Sequence, residues 1–134
     1  MRISLVAYED LAIGDFVSIT EGFAGRVSKT NIVGTFIEAN AIGVAQNNTS
    51  AGNVVIVATD GPTITAVYKD QLTGGENYYV GLNSKPVDWS TYKQSLVASG
   101  YTEAYMQPVG TAGSNDQLAL DLHPPIYVIP SSLI

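Results

Sequence analysis

Gly52-Asn53-Val54-Val55-Ile56-Val57-Ala58-Thr59-Asp60-Gly61 carries the strongest strand signal in the chain. Five apolar residues in a row, four of them β-branched, are too few for a buried helix and suit a strand. The run is unbroken, which predicts a strand buried on both faces. Glycine and asparagine precede it, and Asp60-Gly61 follows as a hairpin-type turn, after which Pro62 to Tyr68 continues as another strand.

Outward from this stretch the same pattern repeats. Phe16-Val17-Ser18-Ile19-Thr20 reads as a strand introduced by Gly14-Asp15, and Glu21-Gly22 as a turn before a second strand from Phe23 to Ser28. Val33 to Glu38 alternates loosely and reads as a third, and Ala41 to Ala45 as a fourth. Gly74-Gly75 introduces Asn77-Tyr78-Tyr79-Val80, and Tyr105 to Thr111 and Gln117 to Leu122 complete the set. Short β-branched and aromatic runs between Gly, Asn, Asp and Pro predict an all-β chain, a small β-sandwich or β-barrel with its core over residues 13–122.

One segment has helical spacing. Asp88 is placed to cap a helix beginning at Trp89, and Gly100 stands where a helix stops. Trp89, Tyr92, Leu96 and Val97 recur on one face, so a helical insertion of about three turns is expected over residues 88–99. Both ends read as extended arms. Residues 1–12 are apolar but precede the first firm turn. His123-Pro124-Pro125-Ile126-Tyr127-Val128-Ile129-Pro130 contains three prolines, which bars it from a central strand. Each arm either latches onto a neighbouring subunit or lies on its own domain.

Of 134 residues, 13% are charged, about half the usual share of a soluble domain, while 46% are hydrophobic. Sparse charge predicts that part of the outer surface is covered by another copy or a larger scaffold. With net charge −6 and six Lys and Arg spread thinly, there is no basic stripe for nucleic acid and none for an anionic membrane. There is no cysteine, so disulfides and thiolate metal sites are excluded. No window approaches the ~20 apolar residues that span a bilayer, and the N-terminal apolar run is too interrupted for a secretory signal.

Chemistry-bearing patterns are missing too. His123 is the one histidine, set beside two prolines where a catalytic triad could not hold it rigidly. The twelve acidic residues show no Ca²⁺-loop or Zn²⁺ spacing. Gly110-Thr111-Ala112-Gly113 lacks the lysine and following helix of a phosphate loop. The expectation is a non-catalytic chain with no cofactor and no metal. Tyr78, Tyr79, Trp89, Tyr92, Tyr101 and Tyr105 crowd one third of the chain, which suits core packing, a protein interface or stacking on a sugar.

Two phrases recur. Gly14-Asp15-Phe16-Val17, Gly52-Asn53-Val54-Val55 and Gly75-Glu76-Asn77-Tyr78 each put a glycine and a polar residue before a strand. Ala41-Ile42-Gly43-Val44-Ala45 is echoed by Gln107-Pro108-Val109-Gly110-Thr111-Ala112, each with a glycine inside a strand, which marks a bulge, a bend or close backbone approach. The first-half phrases resemble the small β-domains of tailed-phage capsid decoration (cement) proteins. The second-half phrases are similar to a module repeated in phage fibre proteins, interrupted here by residues 86–105. The resemblance implies a viral structural protein, made in a host cytoplasm and placed on the capsid exterior. It would be a homotrimer that binds and stabilises the shell of the major capsid protein. The alternative is a fibre or adhesin domain that binds a host glycan. The candidate contact residues are Ile3, Leu5, Val6 and Tyr8 in the first arm and Trp89 and Tyr92 in the insertion. Ile126, Tyr127 and Ile129 are those of the second arm.

Overall fold

The computed structural model describes residues 1–63 and 67–133. Five strands close into a barrel in the order β1, β3, β2, β4, β5: β1 Arg2–Ala7, β2 Phe16–Ile19, β3 Arg26–Lys29, β4 Gly43–Ala45 and β5 Val54–Ala58. All neighbours are antiparallel except β1 and β3. A second, open sheet runs β6 (Gly61–Pro62), β11 (Leu118–Leu120), β10 (Pro108–Ala112), β7 (Asn77–Val80), β8 (Pro86–Val87). A separate ribbon pairs β9 (Ala104–Met106) with β12 (Ile126–Val128). Two helices, α1 (Phe36–Ala39) and α2 (Trp89–Ala98), and a 3-10 turn at Pro130–Ser132 complete an all-β architecture.

The barrel wall separates two cores. Val17, Ala45, Val55 and Val57 point into the barrel, with Ala7, Leu11 and Val27. Phe16, Val44 and Ala58, their neighbours in sequence, point out of it into a larger core shared with the second sheet and α2. Alternation of side chains along each strand sends successive residues to the two cores, so β2 and β4 are buried on both faces. Gly43 lies where β4 closely approaches β5. A Cβ there would come within 2.4 Å of both the Ala58 carbonyl oxygen and Val57 Cγ1. Gly110, its echo, sits at a bulge in the β10–β7 pairing, where a Cβ would strike the Ala119 carbonyl.

The three Gly-polar phrases share one geometry. Gly14, Gly52 and Gly75 have φ of 90°, 88° and 89°. Each is the third residue of a turn closed by the next N–H: Asp15 to Ala12, Asn53 to Ser50 and Glu76 to Thr73. Positive φ at that position is the requirement of a type II turn, which glycine meets without strain. Each turn then clasps a buried alanine on the partner strand. Gly14 N–H donates to the Ala45 carbonyl and Ala45 N–H to the Asp15 carbonyl; Gly52 and Asn53 treat Ala7 alike, and Gly75 and Glu76 treat Ala112 alike. Three antiparallel strand pairs, two in the barrel and one in the second sheet, are therefore started by the same device.

Several expectations are corrected. Residues 1–12 are not an arm: Arg2 to Val6 pair with Ala58 to Val54, and Val6-Ala7 pair with Arg26-Val27, because alternating Ile3, Leu5 and Ala7 fill the barrel. Val54–Ala58 is a strand but not a doubly buried one, since Val54 and Ile56 face outward and are exposed. Val33 to Glu38 is not a strand. Thr35 caps α1, its hydroxyl accepting from Glu38 N–H while the Glu38 carboxylate accepts from Thr35 N–H, a reciprocal capping box. Of the two readings of the C-terminal segment, lying on its own domain is the one the structure takes for residues 123–133: β12 pairs with β9, Pro130 is buried, and the 3-10 turn lies against α2. Of the strand expected from Pro62 to Tyr68, β6 forms the start, and residues 64–66 lie outside the described residues.

The helix at residues 89–98 forms as read. The Asp88 carboxylate accepts from Thr91 N–H, a cap worth about 1 kcal/mol. Gly100 and Tyr101 return their N–H groups to Val97 and Leu96 in a Schellman stop. Tyr92 and Leu96 enter the shared core, whereas Val97 is exposed.

Candidate functional site

Helix α1 and the terminal ribbon bring together a row of aromatic rings. The capping box starts α1 at Phe36, whose ring meets Tyr105 of β9 edge-on at 5.8 Å. Tyr105 in turn meets Tyr127 of β12 edge-on at 6.0 Å. These are favourable T-shaped contacts. Tyr105 is oriented by its N–H, which donates to the Ile32 carbonyl at 2.7 Å. Register places Tyr127 opposite Tyr105, with Ile126 opposite Met106 and Val128 opposite Ala104 on the other face of the ribbon. Phe36 and Tyr127 are still 49% and 52% exposed, so the row packs on itself without being covered. Ile37, Ile126 and Ile129 add exposed aliphatic surface from the same elements. The Tyr127 hydroxyl donates to Glu103 at 2.7 Å, and that hydrogen bond pushes the phenol pKa up.

The nine candidate residues are dispersed. Ile126, Tyr127 and Ile129 are exposed on the ribbon and its continuation. Ile3 and Leu5 are half-buried with their side chains packed on the barrel core, and Tyr92 is fully buried. Val6 lies half-buried opposite Val54 on the barrel's outer wall, where Val54 and Ile56 form a second exposed apolar surface. Tyr8 is exposed and packs on Phe23 at 5.0 Å. Phe36 and Tyr105 of the row, and Ile37 beside it, were not among the candidates. The Thr35-x-x-Glu38 spacing is the signal that would have turned Phe36 and Ile37 outward on a capped helix.

Trp89 borders a cleft of about 380 Å³ with Glu76, Asn77, Tyr79 and Met106. Its indole is engaged by its own neighbours: Tyr92 stacks on it at 5.6 Å and 9°, Tyr79 lies at 5.1 Å, and Lys93 Nζ sits 5.5 Å over the ring. These contacts occupy part of the indole surface, and the rest borders the cleft.

Titratable groups that depart furthest from ordinary behaviour are structural. Burial holds the Tyr68 and Tyr92 hydroxyls protonated far above the usual tyrosine range, the Asp15 carboxylate adding to the effect at Tyr68. Both hydroxyls donate to backbone carbonyls, of Gly14 and Tyr105 respectively. Asp15 itself is buried and paired with Lys85 at 2.7 Å. His123 Nε2 meets Asp121 Oδ2 at 3.3 Å with both side chains exposed. Among the described residues no group of three or more His, Asp or Glu is arranged to hold a metal, and no helix is long and apolar enough to cross a membrane.

No protein-family model matches this chain, and no curated protein matches it.

Proposed function

We propose that the chain is a decoration subunit of a tailed-phage capsid, docked on the outside of the major capsid shell to brace neighbouring shell subunits. Its work is mechanical and involves no chemical step. The observation that carries the proposal is the uncovered Phe36–Tyr105–Tyr127 row on a body closed by two well-packed cores. Aromatic patches of this kind mark protein interfaces. Covering the exposed parts of its rings is worth on the order of 1 kcal/mol each, a modest amount that becomes firm attachment when repeated across a symmetric lattice. The second apolar surface, Val54 and Ile56 on the barrel wall, supplies a separate contact, as bracing requires. A homotrimer on a local three-fold axis is the proposed form, and the β-rich body suits a raised exterior position.

The test is binding to expanded shells of the same phage that lack this chain. Stoichiometric co-sedimentation, lost in Phe36→Glu and Tyr127→Lys variants that keep the native circular dichroism spectrum, is the expected result. Wild-type protein that stays in the supernatant contradicts the proposal. A host-glycan adhesin is less well supported because part of the Trp89 ring is already engaged. Glycan binding abolished by Trp89→Ala would favour that reading.

A further inference from the structure

The edges of the β-structure are treated unequally. The barrel has none, because β1 and β5 close it. The open sheet ends in β6 and β8, each two residues long and each containing a proline, Pro62 and Pro86. Short, proline-bearing edges cannot extend a sheet. The ribbon is different. Tyr105 N–H is spent on the Ile32 carbonyl, so Tyr105 and Tyr127 form a non-hydrogen-bonded pair. In an antiparallel ladder that parity sends the hydrogen bonds between β9 and β12 through Ala104–Val128 and Met106–Ile126. The N–H and carbonyl of Tyr127 therefore point away from β9, and among the described residues neither has a partner.

We infer that β12 is a homotypic docking edge, where a second copy of this chain adds its own β12 antiparallel across a two-fold axis at Tyr127. Three features specify another copy as the occupant. At the axis, each Tyr127 N–H faces the other copy's Tyr127 carbonyl, so donors and acceptors match without any other sequence being needed. One step away, Ile126 of each copy lies opposite Val128 of the other, an apolar cross-strand pair. The rings also continue: directly opposed residues stand about 5.5 Å apart, close to the 5.8 and 6.0 Å ring spacings already present. The two rows then merge into Phe36–Tyr105–Tyr127 followed by its mirror order in the second copy.

Charge points the same way. Two chains of net charge −6 repel over most of their surfaces, yet no side chain from Pro124 to Leu133 carries charge. The edge strand itself is neutral, and the one carboxylate at it, Glu103, accepts the Tyr127 hydroxyl hydrogen bond at 2.7 Å. Pro125 and Pro130 flank it, so the pairing stops after a few residues and closes as a pair without growing into a fibre. The contact uses the backbone edge of β12, whereas the proposed shell contact uses the ring faces of the same row. Phe36→Glu, which leaves that edge intact, is therefore expected to lose shell binding and keep self-association. In a trimeric particle the contact joins one trimer to the next.

The test is sedimentation equilibrium of the purified chain over a wide concentration range, with hydrogen exchange read at single amides. The expected result is association in even-numbered species, with the Tyr127 amide protected as concentration rises. Tyr127→Lys opposes two like charges across the axis and is expected to weaken association about tenfold or more. Tyr127→Pro removes the outward N–H together with the ring, leaves the bonds to β9 in place, and is expected to abolish association while thermal unfolding stays cooperative. Tyr127→Ala, which removes the ring but keeps that N–H, is expected to associate measurably. A chain that remains monomeric, or associates only as a trimer, overturns the inference. So does an even-numbered species whose Tyr127 amide exchanges as fast as in the monomer.

Discussion

The side-chain amide of Gln107 completes both backbone hydrogen bonds of Ala41, 66 residues away: Oε1 accepts from Ala41 N–H at 2.8 Å and Nε2 donates to its carbonyl at 3.0 Å. Gln107 is fully buried, and its amide imitates a strand neighbour where the barrel meets the second sheet. Three other contacts cross the same junction. The Tyr68 hydroxyl donates to Gly14, Ser84 Oγ to the Thr30 carbonyl, and Lys85 pairs with Asp15. The two halves are fastened by polar groups as well as by the shared core.

Gln107→Ala strands two buried backbone groups of Ala41 at once. Each costs about 1–3 kcal/mol when left unpaired, so urea denaturation is expected to show a loss of about 3 kcal/mol. Gln107→Glu keeps an acceptor for Ala41 N–H but no donor for its carbonyl, and is expected to be destabilised as well. Wild-type stability in either variant would show that the junction does not depend on this amide.

Glycines of the two recurrent phrases differ in what they resist. Gly52→Ala meets open space and pays only for φ of 88°, about 1 kcal/mol. Gly43→Ala drives a Cβ into Ala58 and Val57 and is expected to cost more, about 2–3 kcal/mol by overpacking. Thermal unfolding of the two variants side by side checks the order.

Stability is expected to fall in alkali. Tyr68 and Tyr92 have folded pKa values raised above the unfolded value of about 10. Their contribution is complete below that value and is lost as pH climbs through it toward the folded values. With about 1.4 kcal/mol per pH unit for each tyrosine, the pair gives a slope near 2.7 kcal/mol per unit above pH ~10. Denaturant midpoints measured on either side of that pH test this, and Tyr92→Phe is expected to halve the slope.

Local signals in the sequence carried much of this fold. The β-branched run at Val54–Ala58, the Gly-polar turns at Gly14, Gly52 and Gly75, and the Asp88 and Gly100 ends of α2 are each decided within a few residues. Barrel closure is not local. Ile3, Leu5 and Ala7 alternate as a strand should, but the partner that makes them one, Val54–Ala58, lies some fifty residues on. The same distance hid the outward face of β5 and separated Ile3 and Leu5 from the exposed contacts. Of the aromatic row, Tyr127 was legible as an apolar residue in a proline-bounded segment. Phe36 was obscured because loose alternation from Val33 to Glu38 outweighed a capping box in the same six residues.

Whether the chain decorates capsids can be seen by electron microscopy of expanded shells incubated with saturating protein. A regular array of protrusions over the outer surface, absent with Tyr127→Lys, is the expected result. Bare shells, or a single spike at the tail vertex, would contradict it.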